Sequence, residues 1–238
     1  MDQNETKELA ARAAVEALVK SGMRLGLGTG STAIFAVRHV GKLILEGKLK
    51  NILAVPTSFQ TSIECDKWGI PLLSLNSGTI NGRLDLTIDG ADEVDGQNRL
   101  VKGGGGALLP EKIVAYCSAS FAIVVDESKI VENLGLNFPV AVEVAGMARV
   151  PVTLALQALG AEVTLREAQR KAGPVITDQG NLLLDIRFKE PVDPVLMEAK
   201  INNFPGVVEN GFFTDPADKP LRPVIFIGQR DGTVDRRD

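Results

Sequence analysis

The sequence predicts a mixed α/β fold, a parallel-sheet domain joined to a smaller ferredoxin-like α+β domain. Three observations carry this. Short apolar runs alternate with amphipathic stretches through the first half, the pattern of a parallel sheet covered on both faces. Near Asn137 the order changes to β-α-β-β-α-β, a split βαβ unit. The 238 residues, 45% hydrophobic but only 5% aromatic, are enough to bury a sizeable and mainly aliphatic core.

The elements follow in order. Residues 3–20 read as a helix with Leu9, Ala10, Ala13, Ala14, Ala17 and Leu18 on its apolar face. MRLGLGTGSTAIFAVRHV reads as strand, glycine turn and helix. NILAVPTS is a short strand, and FQTSIECDKWG is a helix that stops at Gly69. IPLLSL is another strand, and LDLTIDGADEVD is a strand running into an acidic turn. LLPEKIVAYCSA is a helix, with Pro110 tolerated only near its start. FAIVVDESK is the next strand. In the second half PVAVEVA, AEVTLRE and GVVENGFF read as strands, and ARVPVTLALQALG and DPVLMEAKINN as helices. PVITDQGNLLLDIRF reads as a hairpin turning at Asp178-Gln179-Gly180. PVIFIGQRDGTV returns as a strand to the first domain, and the charged end DGTVDRRD is expected to fray. The domains so drawn are 1–135 with 211–238, and 136–210.

Composition excludes several function classes. The net charge is -4 with acids and bases interspersed, so no basic stripe exists for nucleic acid. Cys65 and Cys117 form neither a metal-type CxxC pair nor a disulfide framework, which fits a reducing cytoplasm. MDQNETKELAARAAVEAL is charged and helix-like rather than a signal peptide. No apolar run approaches the ~20 residues of a membrane span. A cytoplasmic protein with no membrane partner is expected. His39 is the only histidine, in the helix AIFAVRHVGKLI. A nucleophile–His triad would have to use it, and a multi-histidine metal site is impossible. Acid–base chemistry must fall mainly to carboxylates and lysines.

Four stretches carry groups suited to such chemistry. In GLGTGST (Gly26 to Thr32) a strand meets a helix through glycines. Backbone N–H groups there can cradle an anion, with Ser31 and Thr32 adding hydroxyls, or the segment is a plain turn. It is a broken dinucleotide fingerprint, since Ser31 stands where the last glycine belongs, and NILAVPTS lacks a terminal acid for a ribose hydroxyl. IDGADEVD places Asp89, Asp92, Glu93 and Asp95 after a strand. In open α/β sheets ligands bind at that end, although a solvated acidic turn reads the same way. LVKGGGGALLPEKIVA sets Lys102, four glycines and Glu111 together. Each internal glycine costs roughly 0.5–1 kcal/mol, so four suggest close backbone approach to a ligand rather than a device for stability. VDESK places Lys129 just past a strand end, where an exposed lysine is equally ordinary. Together these strand ends suit anion binding beside carboxylate base chemistry, hence a small phosphorylated substrate and a proton transfer.

GLGTGSTA, TIDGADEVD, LVKGGGGALLPEKIVA and VVDESK, in that order, resemble the ribose-5-phosphate isomerase A family. FPVAVEVAGMAR, VITDQGNLLLDI and INNFPGVVENGFF extend the resemblance over nearly the whole chain. It implies a Rossmann-like domain with a smaller α/β domain, a homodimer or homotetramer, and no metal or other cofactor. The implied reaction interconverts ribose 5-phosphate and ribulose 5-phosphate. By resemblance Glu111 is the general base, moving a proton from C2 to C1 through a cis-enediolate. Asp89 assists ring opening or positions hydroxyls, and Asp92 binds them in the segment that includes Gly90 and Ala91. Lys102 stabilises the enediolate oxygen. Thr29, Gly30, Ser31 and Thr32 match the substrate-binding turn, and Gly103, Gly104 and Gly105 the loop that closes on the sugar. Lys129 matches a substrate-contacting lysine, and Lys7 is a looser candidate for the phosphate. VPTSFQTS is assigned no chemistry beyond that of a lid. Two rival readings are a nicotinamide-dependent oxidoreductase, against which the broken fingerprint counts, and a sugar-phosphate-sensing regulator. The second would need a helix-turn-helix segment for which the short N-terminal helix leaves no room.

Overall fold

The computed structural model describes residues 1–214 and 222–238. Residues 215–221, part of the 211–238 segment drawn above, lie outside the described residues. The chain opens with helix α1 (Gln3–Leu18), strand β1 (Arg24–Leu27) and helix α2 (Ala33–Leu45). Strand β2 (Leu53–Pro56), helix α3 (Phe59–Trp68) and strand β3 (Leu86–Asp89) follow. Two short strands, β4 (Glu93–Val94) and β5 (Leu100–Val101), precede helix α4 (Leu108–Tyr116) and strand β6 (Phe121–Asp126). Then come β7 (Val140–Val144), α5 (Arg149–Ala158), β8 (Glu162–Leu165), β9 (Leu182–Arg187), α6 (Pro194–Asn202) and β10 (Val207–Asn210). The last strands are β11 (Phe212–Phe213), β12 (Val224–Gly228) and β13 (Val234–Arg237).

The chain divides into two compact units. One comprises Met1–Ala91, Pro110–Lys129 and the described part of Asp218–Asp238; the other comprises Asp92–Leu109 and the described part of Ile130–Ala217. Segment 92–109, drawn above with the first domain, thus groups with the smaller one. The reason is strand pairing: β4 pairs with β5, and β5 pairs with β11, all antiparallel.

The first unit is built on a six-stranded sheet in the order β13-β12-β6-β3-β1-β2, parallel except for the edge strand β13. Strand β6 is buried at all six positions, as a strand covered on both faces must be. Helix α1 starts at a capping box. The Asp2 carboxylate accepts the N–H groups of Asn4 and Glu5 at 2.8 and 2.9 Å, and Glu5 accepts the Asp2 N–H at 2.7 Å. Its buried face carries Lys7, Ala10, Ala11, Ala14 and Val15. This corrects the face read from the sequence, since Ala17 is exposed and Leu9, Ala13 and Leu18 are half-buried. An alanine-rich helix offers little contrast between faces, and packing against α2, β6 and β12 decides the matter.

Two further expectations fail here. IPLLSL forms no strand beyond an isolated bridge, Ala54 to Leu72. Pro71 has no N–H to donate, and at Ser74 the chain turns back, closed by the Ser77 N–H on the Ser74 carbonyl at 2.9 Å. The C-terminus does not fray but forms β13. Asp231 orders the turn before it by accepting the Thr233 N–H at 2.9 Å, and the Arg236 guanidinium lies over the Phe226 ring.

The smaller unit contains an antiparallel sheet in the order β10-β7-β9-β8, the ferredoxin-like arrangement expected. Val140, Val142 and Val144 face the core shared with Val152 and Leu156 of α5 and Ile201 of α6. Ala141 alternates to the opposite face, where it packs with Leu108 and Leu183. The expected turn before β9 is present, with the Gly180 N–H on the Thr177 carbonyl at 2.8 Å. Its first arm is reduced to isolated bridges, because β8 takes the edge of β9. GVVENGFF, read as one strand, is two. Gly211 interrupts it by donating to the Ala141 carbonyl at 2.7 Å and accepting the Lys102 N–H at 2.9 Å.

Candidate active site

In the first unit the carboxyl ends of the parallel strands carry the polar groups, as the general rule for open α/β sheets requires. Asp89 ends β3 and is fully buried. Its Oδ1 accepts the Thr29 N–H at 3.1 Å and the Gly90 N–H at 2.7 Å. It fixes the turn between β1 and α2. Residue 28 must be glycine, because a Cβ there would lie 2.0 Å from Asp89 Oδ1 and 2.6 Å from its Cα. Gly30 turns the chain with φ of 109°, and Thr32 leads into α2. Gly90 passes beside this helix start, where a Cβ would meet Thr32 and Ala33 at 3.8 and 3.9 Å. Ala91 follows, half-buried.

The two candidate lysines of this unit differ in placement. Lys7, a loose match by sequence, is buried on α1 and donates from Nζ to Ser31 Oγ at 3.1 Å. A buried ammonium is costly unless bonded, so its place at the glycine turn makes it part of the candidate anion site. Lys129 is half-buried in the single 3₁₀ turn that follows β6. Glu111 lies in the first turn of α4 and is only 4% exposed. A carboxylate there is favoured by the helix dipole.

The Thr29 side chain does something the sequence did not reveal. Its hydroxyl lies 2.7 Å from Thr57 Oγ1, 2.7 Å from Ser58 Oγ and 3.2 Å from Thr61 Oγ1. Thr61 also donates to the Gly28 carbonyl at 2.7 Å, and Gln60 accepts the Gly30 N–H at 3.2 Å. VPTSFQTS, assigned no chemistry from the sequence beyond that of a lid, is bonded to the glycine turn through Thr57, Ser58, Gln60 and Thr61. The density of hydroxyl residues in that stretch was the available signal.

In the smaller unit Asp92 and Lys102 bracket the glycine loop. Asp92 Oδ2 accepts the Gly104 N–H at 2.7 Å. A Cβ on residue 104 would meet Asp92 Oδ1 at 2.6 Å and Phe138 Cζ at 2.9 Å. Gly103 adopts φ of 107°, and the turn closes with the Gly106 N–H on its carbonyl at 3.0 Å. Gly104 and Gly105 are exposed. Lys102 is 2% exposed, with Nζ 5.7 Å from the centre of the Phe213 ring, a cation–π distance. Glu93 and Asp95, grouped by sequence with Asp89 and Asp92, serve the fold instead. Glu93 accepts the Gly135 and Phe138 N–H groups at 2.6 and 2.7 Å. Asp95 pairs with Arg99 at 2.6 Å.

The remaining reactive side chains take structural places. His39 is half-buried on α2 with Nε2 3.3 Å from Glu16, and burial holds its pKa below the ordinary value. Burial, aided by the Asp66 and Glu64 charges, pushes the Cys65 thiol up to about 12, so it is inert at neutral pH. Among the described residues no group of three His, Cys, Asp or Glu side chains could hold a metal ion, and no helix is long and apolar enough to cross a membrane.

Comparison of the chain with known proteins leads to one family. The family model for ribose 5-phosphate isomerase A (phosphoriboisomerase A) matches residues 53–232. Ribose-5-phosphate isomerase A of Treponema denticola is 49% identical over 242 residues, covering 99% of both chains. That of Thermosynechococcus vestitus is 51% identical over 225 residues, covering 94% of each. A D-ribose-5-phosphate isomerase solved in complex with phospho-erythronic acid superposes with a TM-score of 0.93 over 100% of both chains, at 36% identity. The chain belongs to the ribose 5-phosphate isomerase A family, and its activity is the interconversion of ribose 5-phosphate and ribulose 5-phosphate.

Proposed function

We propose that the isomerisation proceeds by proton transfer through a cis-enediolate, with Glu111 as the general base and no metal or other cofactor. Glu111 takes the C2 proton of the open-chain aldose and returns it to C1. Lys102 carries the positive charge that meets the developing enediolate oxygen, where preorganised electrostatics are most effective. Asp89 assists ring opening or holds hydroxyls, and Asp92 binds them. Backbone N–H groups of Ser31 and Thr32, with Lys7, receive the phosphate end. Gly30 shapes the turn while its N–H is held by Gln60, and Lys129 contacts the substrate. Thr29 contributes through the shape of the turn, because its hydroxyl is committed to Thr57, Ser58 and Thr61. Gly90 and Ala91 carry the chain between the two aspartates, and Gly103, Gly104 and Gly105 lie against the sugar.

The observation that carries this reading is the burial of Glu111 in the first turn of α4, nine residues after Lys102, in a chain 49% identical to a named isomerase over its length. Phospho-erythronic acid in the solved relative supports a phosphosugar ligand here, since its carboxylate has the planar two-oxygen form of an enediolate. The same reading places the enzyme in the cytoplasm as a homodimer or homotetramer, acting on a small phosphosugar without nucleic acid or membrane.

The test is conversion of ribose 5-phosphate in excess EDTA by the wild type and Glu111→Gln. Loss of a general base lowers kcat by about 10²–10⁴-fold, with KM changing far less. Near-normal turnover by folded Glu111→Gln would remove Glu111 from the role. Loss of wild-type turnover in EDTA would remove the metal-free route.

A further inference from the structure

We propose that Arg166, held in place by Asp185, is a positioning residue that sets the orientation of the glycine loop for the isomerase reaction. The inference rests on the reading above, in which that loop lies against the sugar. Arg166 follows β8, and its N–H donates to the Leu183 carbonyl at 2.9 Å, continuing the pairing with β9. Asp185, on β9, takes one edge of the guanidinium through two nitrogens. Nε donates to Oδ2 at 2.9 Å and Nη2 donates to Oδ1. A bidentate fork fixes the guanidinium plane as well as its position. The remaining nitrogen, Nη1, reaches the loop, donating to the Gly103 carbonyl at 2.9 Å and to the Gly104 carbonyl at 3.3 Å. The two side chains retain 16% and 21% of their exposure, so solvent screens the pair only in part.

Peptide planarity turns these contacts into control of the opposite face. In a trans peptide the carbonyl and the following N–H point in opposite directions. The Gly103 carbonyl faces Arg166, so the Gly104 N–H faces away and meets Asp92 Oδ2 at 2.7 Å. That peptide is clamped at both ends by charged side chains. The Gly104 carbonyl also faces Arg166, so the Gly105 N–H is turned away from the guanidinium, on the part of the loop that is exposed. Glycine accepts either sign of φ and carries no side chain to hold an orientation. Four in a row cannot select one arrangement of these peptides by themselves. Arg166, with Asp92 on the other side, selects it from outside, and with it the donors offered to substrate.

Lysine cannot replace this group. Its donors radiate from one nitrogen and cannot span two carboxylate oxygens and two carbonyls together. It does keep the charge beside Asp185. The test is ribose 5-phosphate kinetics for the wild type, Arg166→Lys and Asp185→Asn, each with a melting temperature. Misplacement by about 1 Å can cost up to about 10²-fold. Arg166→Lys should therefore lose about 10-fold or more in kcat while melting close to the wild type, with KM much less affected. Asp185→Asn loosens the fork and should fall between. An unchanged kcat in Arg166→Lys overturns the inference, as does a fall in melting temperature with kcat per folded molecule intact. Should Arg166→Lys not fold, Asp185→Asn decides by the same two outcomes. A wild type that fails to turn over ribose 5-phosphate sinks the isomerase reading and the inference with it, whereas an active wild type with an unimpaired variant sinks the inference alone.

Discussion

Two glycine turns, one in each unit, are held by aspartates three residues apart in the chain, and they are held differently. Asp89 is fully buried, accepts two backbone N–H groups, and fills the space a side chain on residue 28 would need with its own Cα and carboxylate. Hydroxyls of Thr57, Ser58 and Thr61 support the same turn. Asp92 is half-buried and accepts the Gly104 N–H, and the atoms nearest a side chain on residue 104 are the ends of Asp92 and Phe138. The first turn is set against backbone, the second against side chains that can rotate. A turn built the first way keeps one shape or loses the fold. A turn built the second way can yield, and then it needs a clamp such as Arg166 to keep its peptides oriented.

The largest expected effect follows from the first turn. Gly28→Ala puts a methyl group where Asp89 already lies, and overpacking against backbone should cost about 3 kcal/mol or more. At roughly 2–4 °C per kcal/mol for a chain of this size, a melting curve will show it, if the variant folds at all. Gly104→Ala should cost about 1–2 kcal/mol, because Asp92 and Phe138 can move aside. Its main loss should be in kcat, since moving Asp92 disturbs a proposed substrate group. Equal destabilisation by the two alanines would break the contrast between the turns. A stable Gly104→Ala with reduced kcat would sharpen it.

The sequence made the turns legible but not what holds them. GLGTGST shows its turn because glycines stand between an apolar strand and a helix start, a local pattern. The ferredoxin-like order was readable for the same reason, as each element carries its own periodicity. What a carboxylate does depends on which N–H it meets, and that is not local. Glu93 looks like its neighbour Asp92, yet it bonds Gly135 and Phe138, 42 and 45 residues further on. Arg166 is a lone arginine after a strand until folding brings it to carbonyls 63 and 62 residues away. The false strand IPLLSL and the unforeseen β13 err by the same logic, since hydropathy reports burial and not whether an N–H has a partner.

The smallest effect compares two buried glutamates, one in each unit. Glu64 lies on α3, the helix that carries Thr61. The Arg38 hydrogen bond, opposed by burial and joined by Lys67 and Trp68, lowers its pKa from 4.5 to about 2. Glu143, on β7, has among the described residues only neutral donors, Thr177 and Asn181 at 2.8 and 2.9 Å. Burial raises its pKa above 4.5, with Glu209 and Asp178 pushing the same way. The signs then oppose. Glu64 contributes stability that is full above pH 4.5 and lost as pH falls towards about 2. Glu143 binds its proton more tightly when folded, so its contribution is full below pH 4.5 and declines as pH rises through the raised value. Glu64→Gln should lower stability at pH 7 by about 1–2 kcal/mol, discounted because Arg38 and Lys67 are well exposed, and the deficit should shrink in acid. Glu143→Gln should gain on the wild type as pH rises above 4.5. Denaturant midpoints measured from pH 3 to 8 read both slopes. Slopes of the same sign would mean that Glu143 is as well supplied with charge as Glu64, and that the two carboxylates are held alike.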